Sequence, residues 1–175
     1  MNADRTLRGL IASGRDDAVA IAARDAPPLS YGALRALIDR TVRSLNDLGV
    51  GRGDRVAIVL PNGPEMATAF LSVASAAASA PLNPAYRQDE FEFYLEDLKA
   101  KALIVEAGSD SPALRAAEKL GVKLITLTPE PQAGAGAFQL SGASVDALHS
   151  PSPDGRSSDA LSSAATIDRL DPNAI

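Results

Sequence analysis

Residues 55–60, Arg-Val-Ala-Ile-Val-Leu, open on a charge and then run apolar without alternation. A strand with one wet face alternates polar and apolar side chains. A short unbroken run reads instead as a strand covered on both faces. Such a strand needs helices above and below it, which restricts the chain to an α/β architecture with a mostly parallel sheet. Ala102 to Val105 and Val122 to Leu127 read as further strands.

The segments between these runs carry helical spacing. Ser30 is placed to cap a long helix with the stripe Leu34, Leu37, Ile38, Thr41, Val42, Leu45 and Leu48, closed by Gly49. Ala33 stands where a capping box puts Glu or Gln, so only half of that device is present. Pro61-Asn62-Gly63-Pro64 breaks the first buried strand and opens a helix whose inner face is read as Met66, Phe70, Val73, Ala74 and Ala77. The stretch Ser75-Ala76-Ala77-Ala78 lets that helix run on. Ala80-Pro81-Leu82 predicts a short strand before the Asn83-Pro84 turn, and Phe91, Tyr94, Leu95 and Leu98 mark the next helix. Ser111 caps another, with Pro112 at its first position and Gly121 past its end. Ahead of all this, Leu7, Leu10 and Ile11 predict a helix ending by Gly14. Val19 and Ile21 pair with Leu29-Ser30-Tyr31 as a hairpin through the turn at 24–28. Right-handed crossovers in this strand–helix rhythm put helices on both faces of the sheet.

After Thr128 the composition changes. Residues 129–165 are rich in Pro, Gly, Ser and Ala, with Phe138, Leu140, Val145, Leu148 and Leu161 the large apolar exceptions. This predicts a surface excursion with one short strand at 138–140, and little apolar surface with which to cover a sheet edge. Residues 1–128 are thus expected to form an α/β subdomain and 129–175 a loop-rich segment. The ending at 170–175 has the look of an approach to another strand, as in a piece of a longer chain. An uncovered strand edge is then expected to promote self-association.

Composition excludes several functions. There is no cysteine, hence no disulfide or thiolate metal site, and the single histidine, His149, cannot build a multi-histidine site. A net charge of -5 argues against a general nucleic-acid grip. No long apolar run and no apolar signal core at residues 1–8 are found, so the expectation is a cytoplasmic protein with no membrane partner.

Few residues carry a chemical signal. Gly49-Val50-Gly51-Arg52-Gly53 follows a helix and enters a strand, the reverse of the dinucleotide-binding context, and reads as a helix stop and turn. Asp16 with Asp17, and Asp89 with Glu90, are chain neighbours near helix ends, where solvation and the helix dipole account for them. Glu92, Glu96 and Asp97 read as a solvated helix face. His149 sits among Ser150, Pro151, Ser152 and Pro153 with no nucleophile or orienting group assigned to it. Tyr86 and Arg87 stand apart. They follow a short strand, where ligands gather in open α/β sheets, and an arginine there can take a phosphate in bidentate fashion. A surface arginine flanking a turn is the plainer reading of the same residue.

The order of segments resembles the first part of the acyl-CoA synthetase, luciferase and peptide-synthetase adenylation superfamily. Leu29-Ser30-Tyr31-Gly32-Ala33-Leu34 is similar to that family's Leu-Thr-Tyr-x-Glu-Leu opening. The stretch 48–58 is similar to its helix-end, turn and first buried strand, 60–65 to its next helix start, and 80–86 to its Pro-Leu-Asn-Pro turn. Residues 89–101 look most like the oxalyl-CoA synthetase branch. The resemblance spans about residues 5 to 127.

It implies an incomplete portion of the large N-terminal domain of the adenylate-forming fold. The parent enzyme would use ATP, magnesium and coenzyme A to join a small carboxylic acid, oxalate in the nearest branch, to the thiol. Tyr86 and Arg87 would form one lip of the coenzyme A channel. Two departures bear on this: Ala33 replaces the usual glutamate, and Ala85 occupies a position often held by arginine. The family's phosphate loop, its adenine contacts and its catalytic lysine correspond to positions beyond Ile175. The resemblance therefore assigns no catalytic residue and no metal ligand to this chain, implies no tight cofactor binding by it, and implies that it is inactive alone. Two rival readings are a free-standing doubly wound nucleotide-binding domain and a non-enzymatic module that works only by pairing with something else.

Overall fold

The computed structural model describes residues 6–143. A short helix, α1 (Leu7–Ala12), leads into the hairpin β1 (Val19–Ala23) and β2 (Ala26–Ser30) and then the long α2 (Tyr31–Asp47). The remainder alternates as β3 (Arg55–Val59), α3 (Pro64–Ala74), β4 (Ala78–Pro81), α4 (Gln88–Asp97), β5 (Ala102–Glu106), α5 (Ala113–Leu120) and β6 (Lys123–Pro129). A 3-10 turn, Pro131–Ala133, precedes the last strand, β7 (Phe138–Ala143).

Five strands form one sheet in the order β4-β3-β5-β6-β7; β3 is parallel to β4 and β5, β5 to β6, and β7 runs antiparallel to β6. The three apolar runs are the three inner strands, as the lack of alternation requires. Their pleat divides the interior into two halves. Val56, Ile58, Ala102, Ile104, Ile125 and Leu127 face one layer, packed by Leu34, Leu37, Leu45, Ala69 and Val73 of α2 and α3. Ala57, Val59, Leu103, Val105 and Leu124 face the other, packed by Phe91 and Leu95 of α4 and by Ala113, Leu114, Ala116 and Ala117 of α5. The α/β class, the mostly parallel sheet and helices on both faces all hold.

Local signals set the helix ends. Ser30 Oγ accepts from Ala33 N at 3.2 Å, the half of the capping box that remains when Ala33 has no side chain to return the bond. Ser111 Oγ accepts from Ala113 N at 3.2 Å ahead of α5, and Gly121 past its end takes φ +65°. The turn before β3 is fixed by Asp54, whose Oδ2 accepts from Gly51 N at 2.8 Å and from Lys101 Nζ at 2.9 Å.

Two expectations need correction on α3. The helix stops at Ala74, because Ser75 to Ala77 turn tightly and Ala78 already pairs in β4. Its buried residues are Thr68, Ala69, Ser72 and Val73, whereas Phe70 is 40% exposed and Met66 and Ala74 are only partly buried. Small side chains let the helix lie close to α2 and the sheet, so the large ones are turned aside.

The segment after Pro129 also does more than its composition promises. Ala135, Ala137 and Phe138 are buried, Ala135 N donates to Pro27 O at 2.7 Å, and β7 covers the edge of β6 over the whole of its own length. Thr68 Oγ lies 2.6 Å from Gly136 O, which joins the start of α3 to this loop. Gly136 has φ +76°, and a Cβ there would meet Pro64 O at 2.5 Å. At the other edge, Ala78 N and Leu82 N donate to β3, so alternation turns Ser79 and Pro81 outward. Pro81 has no N–H to offer. The expected strand approach at 170–175 and His149 lie outside the described residues.

Candidate functional site

The crossover β3–α3–β4 leaves β3 on one side, and β4–α4–β5 returns to pair β5 on its other side. The two connections use opposite layers, since α3 packs in one core and α4 in the other. The chain therefore diverges between the carboxyl ends of β3 and β5, the place where open α/β sheets leave a crevice. A cleft of about 380 Å³ lies there, lined by Val59 and Pro61 after β3, Pro84 from the β4–α4 turn, and residues 106–112 of the β5–α5 loop.

The polar atoms of that loop are largely committed. Ser109 Oγ accepts from Ser111 N, and Ser111 Oγ from Ala113 N, each at 3.2 Å. Glu106 and Asp110 bring two carboxylates to the lining. The two carboxylates make this a poor place for a phosphate, which wants free N–H groups and cations.

Of the β4–α4 turn, Pro84 lines the cleft and Tyr86 and Arg87 do not. The turn is shaped by Asn83, whose Oδ1 accepts from Ala85 N at 3.0 Å while its carbonyl accepts from Tyr86 N at 3.2 Å. Tyr86 is half-buried against α4. Its ring stacks on Tyr94 with centroids 5.1 Å apart and planes 11° from parallel, and meets Phe91 edge-on at 5.8 Å. A hydrogen bond with Tyr94, followed by desolvation, pushes the Tyr86 phenol above its ordinary value, so it is a neutral hydroxyl at physiological pH.

Arg87 precedes α4, and its N–H donates to Glu90 Oε2 at 2.8 Å. Its guanidinium is exposed and lies 3.4 Å from Asp89 and 3.7 Å from Glu90. Exposed pairs of this kind bind weakly, by about 0–1 kcal/mol, so the arginine can exchange them for another anion. Asp89 and Glu90 are thus first-turn acids of α4, as their position in the sequence implied. Glu92 is different. Lys119 at 2.6 Å and Gln88 at 2.9 Å hold its carboxyl below the usual range, and the Lys119 contact ties α4 to α5. It faces a neighbouring helix, whereas the sequence placed it on a solvated face.

Sequence reasoning found the turn and missed the β5–α5 loop. A usable signal existed, because the loop follows a buried strand. What it lacked was the strand order that brings β5 beside β3. Among the described residues, no group of three or more His, Asp or Glu is arranged to hold a metal ion.

The family model described as AMP-binding enzyme matches residues 11–166. The chain belongs to that family. Within it, this AMP-binding family member is 42% identical over 102 residues to the oxalate–CoA ligase of Arabidopsis thaliana, covering 57% of this chain and 20% of that protein. It is 43% identical over 83 residues to the oxalate–CoA ligase of Saccharomyces cerevisiae, covering 45% and 15%. The crystal structure of apo MatB from Rhodopseudomonas palustris superposes with a TM-score of 0.62 at 26% identity, over 82% of this chain and 30% of that one. The chain therefore spans a fifth or less of the length of these curated relatives. Among the described residues no helix is long and apolar enough to cross a membrane.

Proposed function

We propose that this chain supplies the first sheet-and-helix portion of an ATP-dependent acid–CoA ligase, with oxalate as the acid joined to coenzyme A. The observation that carries the reading is the 42% identity to the Arabidopsis thaliana oxalate–CoA ligase within a family match spanning most of the chain. In this reading the α/β subdomain expected at 1–128 also takes in β7, which pairs with β6 in the same sheet. The cytoplasm is the proposed setting.

The described residues fit ATP phosphates poorly, and no group of three or more of their His, Asp or Glu side chains is arranged to hold magnesium. The cleft at the sheet's carboxyl end is acidic, and its serine hydroxyls and neighbouring amides bond one another. No step of nucleotide chemistry is therefore assigned to them, and the chain alone is expected to be inactive and to bind neither nucleotide nor coenzyme A tightly. Coenzyme A fits better at one point. Arg87 offers an exposed guanidinium held only by exposed carboxylates, beside the aromatic face built by Tyr86 and Tyr94. Tyr86 and Arg87 form the proposed lip of the coenzyme A channel.

The test is a chimera in which this chain replaces its matching segment in the Arabidopsis thaliana oxalate–CoA ligase. Oxalate-dependent release of AMP supports the reading, and a folded chimera without it refutes the reading. The doubly wound strand order favours one rival, a free-standing nucleotide-binding domain. Heat released on titrating ATP and magnesium into the isolated chain would establish that rival instead.

A further inference from the structure

The turn between β3 and α3 places an asparagine directly before a glycine, at Asn62-Gly63. Among the chain's asparagines, Asn62 alone is followed by glycine. It is exposed, and among the described residues neither its side-chain amide nor the Gly63 N–H has a hydrogen-bond partner. Gly63 stands just ahead of the first helical residue, Pro64, with its backbone extended at φ 175°. Having no Cβ, it leaves its nitrogen open to the side chain that precedes it. The other described asparagines lack this opening. Asn46 is held inside α2, and the residue after it belongs to the same helix. Asn83 is followed by Pro84, which has no N–H, and its Oδ1 already accepts from Ala85 N at 3.0 Å.

We propose that Asn62 is a self-modification site, converting in the folded chain to aspartate and isoaspartate, and that the isoaspartyl form is the substrate of a methyltransferase that uses S-adenosylmethionine. The Gly63 nitrogen bonds to Cγ of Asn62, the bond from Cγ to the side-chain nitrogen breaks, and ammonia leaves with the Gly63 amide proton. Water then opens the cyclic imide. Cleaving the new bond leaves aspartate. Cleaving the original peptide bond leaves isoaspartate, with the backbone routed through Cγ and longer by a methylene. The α-carboxylate freed in that form takes a methyl group from the sulfonium of S-adenosylmethionine, and S-adenosylhomocysteine leaves. Either acid adds a negative charge to a net of -5, beside the amino end of α3, where the helix dipole favours it. The charge also enters a concavity of about 590 Å³ that Asn62 lines with Met66, Phe70 and Leu82, and none of its lining residues is charged beforehand. This chemistry depends on the turn alone and not on the ligase reading.

The test incubates the folded 175-residue chain, warm and at mildly alkaline pH, and follows each asparagine by peptide mapping with fragment mass spectra. A second sample unfolded in urea shows that the conditions support the reaction. Asn62 is expected to turn to acid in the folded chain ahead of Asn46 and Asn83. Purified isoaspartyl methyltransferase with labelled S-adenosylmethionine is expected to label the peptide carrying residue 62, and Asn62→Gln is expected to lose that label. Gly63→Ala, whose extended backbone alanine also adopts, is expected to slow the conversion. Retention of the Asn62 amide in the folded chain while the unfolded chain loses it overturns the proposal. So does conversion no faster than at Asn46, a Gly63→Ala variant that converts at the parent's rate, or acid at 62 that takes no methyl label. Should Asn62→Gln fail to fold by circular dichroism, the peptide map of the parent chain decides.

Discussion

Replacing Thr68 by valine exchanges a buried hydroxyl for a methyl of the same shape. Thr68 has no exposed surface, and its Oγ lies 2.6 Å from Gly136 O and 3.0 and 3.1 Å from Pro64 O and Glu65 O. A hydroxyl has one hydrogen to donate, and the shortest contact takes it. Pro64 and Glu65 are in the first turn of α3, where following amides serve their carbonyls, whereas Gly136 lies in the loop before β7. Valine leaves that buried carbonyl without this donor and opens no cavity, so the loss is the desolvation cost of one polar group, about 1–3 kcal/mol. For a chain of this size that corresponds to a fall in Tm of about 3–10 °C. Urea unfolding should show a lower midpoint at unchanged slope, since the surface exposed on unfolding is the same. Thr68→Ser keeps the bond and loses one methyl, about 1 kcal/mol. A valine variant as stable as the parent would refute the reasoning. A serine variant less stable than valine would show that the methyl, and not the bond, holds the loop.

Gly136→Ala should cost more than Thr68→Val in the same urea assay, because positive φ adds about 1–2 kcal/mol to a backbone clash at 2.5 Å. Ile58→Asp should abolish cooperative folding by circular dichroism, since a fully buried, unpaired charge costs several kcal/mol. The Asp54 carboxyl is held below its ordinary value by the Gly51 N–H and then Lys101, so its stabilising effect is complete above the unfolded value of about 3.9 and is lost as pH falls through the lower folded value. Asp54→Asn should therefore be less stable than the parent at neutral pH, with the gap closing in acid-dependent melts. Self-association, if it uses an open sheet edge, should proceed through β7 and not β4, because Pro81 blocks the latter. Leu140 is non-hydrogen-bonded to β6 and turns its N–H to the open edge, so a Leu140→Pro variant that folds but leaves oligomers unchanged in light scattering at micromolar concentration would refute this.

The inner strands could be read before the fold was seen because burial on both faces erases alternation, and residues 56–59, 102–105 and 124–127 show that erasure. Helix ends were legible where a backbone need has one chemical answer, as at Ser30, Ser111 and Gly121. The inner face of α3 was legible only in part, at Val73. Hydrophobicity also favours Met66 and Phe70, while close packing there selects Ala69 and Ser72 with Thr68 bonded across to a loop. The strand at 138–143 was half legible. Phe138 and Leu140 marked it, but the burial of Ala135 and Ala137 depends on partners more distant in sequence than any local pattern reaches. At the candidate site, Tyr86 and Arg87 were visible as a turn after a strand. The neighbourhood of Glu106 and Asp110 depended on strand order, which no single segment encodes.

The bond from Ala135 N to Pro27 O has a consequence in time. The β1–β2 hairpin packs Leu29 beneath Gly134, where an added Cβ would lie 2.9 Å from the leucine side chain. Those two contacts join nearly opposite ends of the described chain. During synthesis at about 5–20 residues per second, the hairpin emerges roughly 5–20 s before the residues that cover it. Until then Leu29 has no roof over it, and the hairpin is a two-stranded ribbon of the marginally stable kind. A hairpin made early on the ribosome thus waits for a late loop to complete it, and that interval is the one in which a nascent-chain chaperone has a target.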